Sequence, residues 1–210
     1  MKQVPYLGNP GNACALACYT MAAQFLLPEK NFTFEQLAKV ANWKKGYVVW
    51  GFKLWKWLMD QGIHIVDYDT IDYEAWAKEG VKGLRKSVPA KEFKFYKENT
   101  YDLEAESMSV SEMVDHPNFT YIKKRPLWKD VVKEFNKPGI CDVTLNGRLL
   151  HGQEGFTVHR VILIEINEKE VIFHDPNNDW SGEYAQRPLK EFRAIFEAMS
   201  QPELARYYLL

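Results

Sequence analysis

A chain of 210 residues with 46% hydrophobic content is long enough to bury one sizeable core, and it reads as a single domain over 1–210. Its net charge is −1 with acids and bases interspersed, so no basic face argues for nucleic acid and no polybasic segment for an anionic membrane. The N-terminal residues from Met1 to Tyr6 lack an apolar stretch of signal-peptide length, and no later run nears the ~20 residues of a membrane span, which points to a cytoplasmic protein acting on a peptide or small molecule.

In chain order, a turn rich in glycine and asparagine (Gly8 to Asn12) precedes apolar residues at Cys14, Ala17, Cys18, Met21, Ala22 and Phe25. That is the i, i+3, i+4 stripe of a buried helix, with Asn12 as its expected N-cap and Pro28 as its stop. Thr33 and Gln36 have capping-box spacing before a second helix carrying Leu37, Val40 and Ala41. A third helix is expected from Gly51 to Gln61 and a strand from His64 to Tyr68. Residues 72–121 are polar, broken by Gly80, Gly83, Pro89 and Pro117, with weak helical patches around Trp76 and Phe93. They read as an insertion or subdomain. After a helix carrying Trp128, Val131, Val132 and Phe135, four strands follow at Ile140–Leu145, Phe156–Ile166, Val171–His174 and Ala205–Leu209, with a helix from Pro188 to Met199 before the last. Helices first and an antiparallel sheet second make an α+β pattern.

Three cysteines, two of them one turn apart on a helix, form a poor disulfide framework, so reduced thiols are expected. Cys14 falls in the first turn, where unpaired N–H groups and the positive end of the helix dipole favour thiolate and face an oxyanion developing on a substrate carbonyl. The nucleophile needs a base from a distant segment. If the hairpin turns at Asn167 to Lys169, His159 lies opposite Asp175, Pro176 and Asn177, where a carboxylate or amide can hold the second ring nitrogen.

These residues carry a resemblance. Val4-Pro5-Tyr6-Leu7-Gly8-Asn9, then Asn12-Ala13-Cys14 with a small-residue helix ending near Met21, resembles the entry segment and nucleophile helix of the papain-like peptidases that remove bacteriocin leaders after double glycine, and of their free-standing relatives. The segment from Phe34 to Asn42 is similar to their second helix, His159 to Ile164 to their base strand, and Val171 to Pro176 to the strand and Asp-Pro that orient the base. The likeness spans the chain up to about residue 68 and again from about 126. It implies a papain-like fold, a nucleophile helix on a C-terminal antiparallel sheet, Cys14 as nucleophile, His159 as general base, Asp175 as orienter, and Asn9 in the place of the oxyanion-hole Gln. Asn9 is one methylene shorter than that Gln, and Ala15-Leu16 stands where the family has Gly-Pro.

The expected activity is cysteine-dependent hydrolysis of an amide bond in a peptide or protein substrate, with no cofactor. Acyl transfer or deamidation by the same groups, and a non-catalytic peptide-binding module, are the alternatives. Substrate choice is expected in residues 72–121, since loops on a rigid scaffold carry specificity. Cys18 and Cys141 read as core residues. His151 is the rival base, but in its glycine-rich loop it reads rather as an entrance or solvated residue, His174 as pointing away from Asp175 across its strand, and His64 and His116 as lacking a partner pattern. No cysteine or histidine pair has zinc spacing, and no glycine-rich loop has phosphate-binding form. Trp50, Trp55 and Trp57 read either as a buried helix face or as the wall of a peptide cleft.

Overall fold

The computed structural model describes residues 1–9, 11, 13–177 and 182–210. In chain order the elements are α1 (Cys14–Leu26), α2 (Phe34–Val40), α3 (Phe52–Asp60), β1 (His64–Asp69), α4 (Tyr73–Glu79), α5 (Val81–Ser87), α6 (Ala90–Asn99), α7 (Leu103–Val114) and β2 (Phe119–Lys123). There follow α8 (Trp128–Phe135), β3 (Ile140–Asn146), the short α9 (Gly147–Leu150), β4 (Val158–Ile166), β5 (Glu170–His174), β6 (Ala185–Pro188), α10 (Leu189–Glu197) and β7 (Leu204–Tyr208). The molecule is α+β.

Most expected elements form within two residues of their predicted ends. The Thr33–Gln36 capping box is present, with the Gln36 N–H donating to Thr33 Oγ1 at 3.2 Å and the Thr33 N–H to Gln36 Oε1 at 3.0 Å. Asn12, the expected cap of α1, lies outside the described residues; Ala13 takes the N-cap position.

Two expectations are corrected. Residues 72–121 hold four helices and a strand rather than weak helical patches, because Asp72 and Asp102 cap α4 and α7 by accepting the Ala75 and Ala105 N–H groups, each at 2.9 Å. The sheet is mixed, in the order β2-β1-β7-β3-β4-β5-β6, with β1 and β2 parallel and the other neighbours antiparallel. A parallel neighbour requires a long crossover, and helices α4–α7 supply it. The last strand, β7, enters the middle of the sheet and joins the parallel β1–β2 pair to strands β3–β6.

Helices cover both faces of this sheet. Ile140, Ile162, Ile164, Ala205 and Tyr207 pack with α1–α4 in one cluster, while Cys141, Val143, Val161, Leu163 and Phe173 pack with α8 and α10 in the other. Alternating residues of one strand thus serve two cores, and β4 is apolar without interruption from Val161 to Ile164. Among the described residues no helix is long and apolar enough to cross a membrane.

The N-terminal segment is strapped to the sheet beside the site. His174 is fully buried; its Nε2–H donates to the Val4 carbonyl at 2.9 Å and its Nδ1 accepts the Tyr184 N–H at 3.0 Å, with the Tyr6 and Tyr184 rings edge-on to it. This pair of bonds requires neutral imidazole, and burial holds the His174 pKa below its ordinary 6.5. The unfolded chain therefore binds this proton more readily than the folded one, so the contribution is present above about pH 6.5 and is lost as pH falls below it. The urea midpoint of the wild type is expected to drop from pH 7.5 to pH 5 more steeply than that of His174→Gln. Equal slopes would refute this role.

Candidate active site

Cys14 opens α1 and is partly exposed, whereas Cys18 and Cys141 are buried, and all three are free thiols. The helix lies against β4, which brings its first turn to the start of that strand, where His159 sits. His159 Nε2 pairs with Asp175 Oδ1 at 2.6 Å, leaving Nδ1 as the ring nitrogen for the Cys14 thiol, with which the imidazole is hydrogen-bonded. Burial alone would push the Cys14 pKa up. The hydrogen bond and charge of His159, a backbone N–H from Arg160 and the Arg160 guanidinium outweigh it, and the thiol lies below its ordinary value. The same pair acts reciprocally on His159. Burial would lower its pKa, but Asp175 and Cys14 raise it to about 10. Asp175, itself penalised by burial, is held below the ordinary carboxylate range by His159, the Asn177 N–H and His151. Each member of the Cys14–His159 pair thus favours the charged form of the other, and the carboxylate holds the ring on its far side.

Sequence reasoning misread His151. Its side chain is 9% exposed, and its Nε2 pairs with Asp175 Oδ2 at 2.7 Å. Each oxygen of Asp175 therefore carries an imidazole, from residues 16 and 24 positions earlier in the chain. A charge-assisted bond of this kind contributes about 1.5–3 kcal/mol, so His151→Ala is expected to slow Cys14 alkylation by iodoacetamide at pH 6 by about ten-fold. His151→Gln, which keeps a donor, should recover most of the rate; an unchanged rate in His151→Ala would exclude a positioning role. His116, also expected to lack a partner, pairs with Asp60 at 3.2 Å, remote in sequence from the other site residues. His174 turns away from Asp175, as strand alternation predicts.

Asn9 lies at the base of this arrangement. Its N–H donates to the Pro176 carbonyl at 2.5 Å, and its Oδ1 accepts the Ala13 N–H at 2.8 Å and the Gly11 N–H at 3.0 Å. The side-chain oxygen is spent on shaping the turn into α1 and on tying it to the segment that carries Asp175. Gly147 is needed on the opposite side, because a Cβ there would meet His159 Cβ at 2.8 Å and Thr157 Cγ2 at 3.0 Å.

A cleft of about 630 Å³ opens from Cys14. Trp50, Phe52, Trp55, Tyr73, Tyr96 and Phe156 give it a largely aromatic wall, to which residues on α4 and α6 contribute. Of the three tryptophans singled out in the sequence, Trp50 and Trp55 line this cleft, and Trp57 packs edge-on against Phe32. Arg160, which sequence reasoning passed over, also lines it: the guanidinium is 4% exposed, donates to Asp142 Oδ1 at 2.6 Å, pairs with Glu203 and lies 5.4 Å from the Tyr19 ring centre. A charged residue inside an apolar strand was the available signal, and its acidic partner Asp142 was visible in the sequence only as a neighbour of Cys141. Among the described residues no group of three His, Cys, Asp or Glu side chains is placed to hold a metal ion.

No protein-family model matches the chain, and no curated protein or solved structure matches it either.

Proposed function

We propose that the chain is a papain-like, cysteine-dependent hydrolase that cleaves an amide bond of a peptide or protein. The observation that carries this reading is the electrostatic state of the Cys14–His159–Asp175 array: a thiol held low, an imidazole held high, and a carboxylate 2.6 Å from the ring nitrogen remote from sulfur. Cys14 attacks the substrate carbonyl as thiolate. The first-turn N–H groups of α1 receive the oxyanion, with the Asn9 side chain beside them. His159 gives its proton to the leaving amine, which departs as the C–N bond breaks and leaves a thioester on Cys14. Water then attacks the thioester, His159 takes its proton, and the acid product leaves as the thiolate–imidazolium pair is restored.

Acyl transfer replaces that water by an amine, and deamidation makes ammonia the leaving group; neither alters the roles of the three residues. A module that only binds peptide has no need of a thiol and an imidazole tuned against each other.

The test is the pH dependence of iodoacetamide alkylation, read by mass spectrometry at each cysteine. Cys14 is expected to react well below the ~8.5 of a free thiol. Cys18 and Cys141, whose thiols burial raises, to about 12 for Cys141, should stay inert and serve as internal controls. Titration of Cys14 at the free-thiol value would end the proposal.

A further inference from the structure

The cleft changes character along its length. Near Cys14 it is bounded by Val158, Thr144 and Arg160; at the end built by β1, α4 and α6 it places carboxylates among aromatic rings. Asp69, 3% exposed, accepts the Tyr73 hydroxyl at 2.8 Å, and the Tyr96 ring, which lies within electrostatic reach of both Asp69 and Glu92, is 4.6 Å from the Trp50 ring. One buried carboxylate oxygen of the cleft wall, Glu92 Oε2, has no hydrogen-bond partner among the described residues, and Asp67, which does not line the cleft, adds its charge from behind Asp69. Asp67 is 1% exposed and lies two residues before Asp69, on the same face of β1. An unpartnered buried carboxylate oxygen, beside a second acid that repels it, favours a positive group arriving with the ligand. Arg160 acts on Asp67 and Asp69 through its charge but is itself paired with Asp142 and Glu203, and Lys91 is exposed, so Glu92 is left to a cation from the ligand.

We propose that this end of the cleft is a subsite for a cation on an apolar stem, the ammonium or guanidinium of a basic side chain in the substrate, seated between the rings of Trp50, Tyr73 and Tyr96 and the carboxylates of Asp69 and Glu92. Aromatic faces and carboxylates act together on such a group, because a cation over a ring is attracted by the ring's quadrupole and loses little solvation to an acidic partner. The volume suits the stem as well, since about 630 Å³ falls within the ordinary range of ligand clefts. Burial, with the charge of Asp69 adding to it at Glu92, raises the pKa of both acids, and a bound cation relieves that shift. The placement of this subsite relative to the reacting carbonyl rests on Cys14 being the nucleophile; its affinity for a cation does not.

The experiment uses two matched probes, N-(5-aminopentyl)chloroacetamide and N-hexylchloroacetamide, which alkylate a thiolate with loss of chloride and differ in a terminal ammonium against a methyl. Each rate at Cys14 is divided by the iodoacetamide rate on the same protein, which removes changes in thiol reactivity. The ammonium probe is expected to react about ten-fold faster with the wild type, and this preference should fall to near one in Glu92→Gln and in Asp69→Asn. Equal rates in the wild type, or a preference that survives both substitutions, overturn the inference. Should Cys14 fail to alkylate at low pH, the hydrolase reading falls and calorimetry decides the subsite alone. Binding of N-(5-aminopentyl)acetamide tighter than that of N-hexylacetamide supports it, and equal or weaker binding overturns it.

Discussion

His159→Ala is expected to slow alkylation of Cys14 at pH 6 by at least about 100-fold, while the two proteins converge at alkaline pH once the variant's thiol is also ionised. The sign follows from the opposing influences on the thiol. Burial pushes the Cys14 pKa up, and the imidazole supplies the hydrogen bond and much of the positive charge that bring it down. With the ring removed, burial is opposed only by Arg160 and the pKa rises, and each unit of rise lowers the thiolate fraction at pH 6 ten-fold. The rates meet only above the pKa of the variant's thiol, where both proteins carry Cys14 fully as thiolate. Asp175→Asn separates charge from packing: the ring stays anchored by an acceptor, the imidazolium loses its counter-charge, and an intermediate slowing is expected. A His159→Ala protein that alkylates at the wild-type rate at pH 6 would show that Cys14 owes its state to the helix terminus and Arg160 alone.

Asp142→Ala is expected to lower stability by about 3–5 kcal/mol, because it strands a charge in the interior. Arg160 and Asp142 are 4% and 0% exposed, and the other oxygen of Asp142 accepts the Tyr207 hydroxyl at 2.9 Å. Without the carboxylate, the guanidinium keeps the half-buried Glu203 as its ion pair and the Tyr19 ring, and the Tyr207 hydroxyl loses its acceptor. For a chain of this length the loss corresponds to a fall in Tm on the order of 10 °C. Replacing both partners by apolar residues, as in Asp142→Leu with Arg160→Met, should recover much of the stability, since a dry pair repays its desolvation poorly. A double variant no more stable than Asp142→Ala would contradict that account. Removing Arg160 also takes one source of positive charge from Cys14, so the double variant is expected to alkylate at somewhat higher pH than the wild type.

The elements the sequence determined by itself are those whose evidence is local. The small-residue stripe from Cys14 to Phe25, the Thr33–Gln36 box and the turn at Asn167 to Lys169 each specify a backbone conformation through neighbours a few residues apart, and α1, α2 and the β4–β5 hairpin form there. The hairpin also places His159 against Asp175, because its register follows from where the turn lies. The helices of 72–121 were underestimated since their apolar faces are partial: α6 has no buried residue of its own and is held by packing that no window of sequence reveals.

What only the tertiary structure decided are the groups whose partners lie far along the chain. That His151 shares Asp175 with His159, that Arg160 is neutralised by Asp142 and Glu203, and that Tyr73, Glu92 and Tyr96 close a cleft begun by Cys14 all depend on how the β1–β2 crossover and β7 bring separate segments together. Residue types and spacing state which chemistry a side chain can perform. The distance to its partner, and so its charge state, is set by the global packing of a sheet covered on both faces.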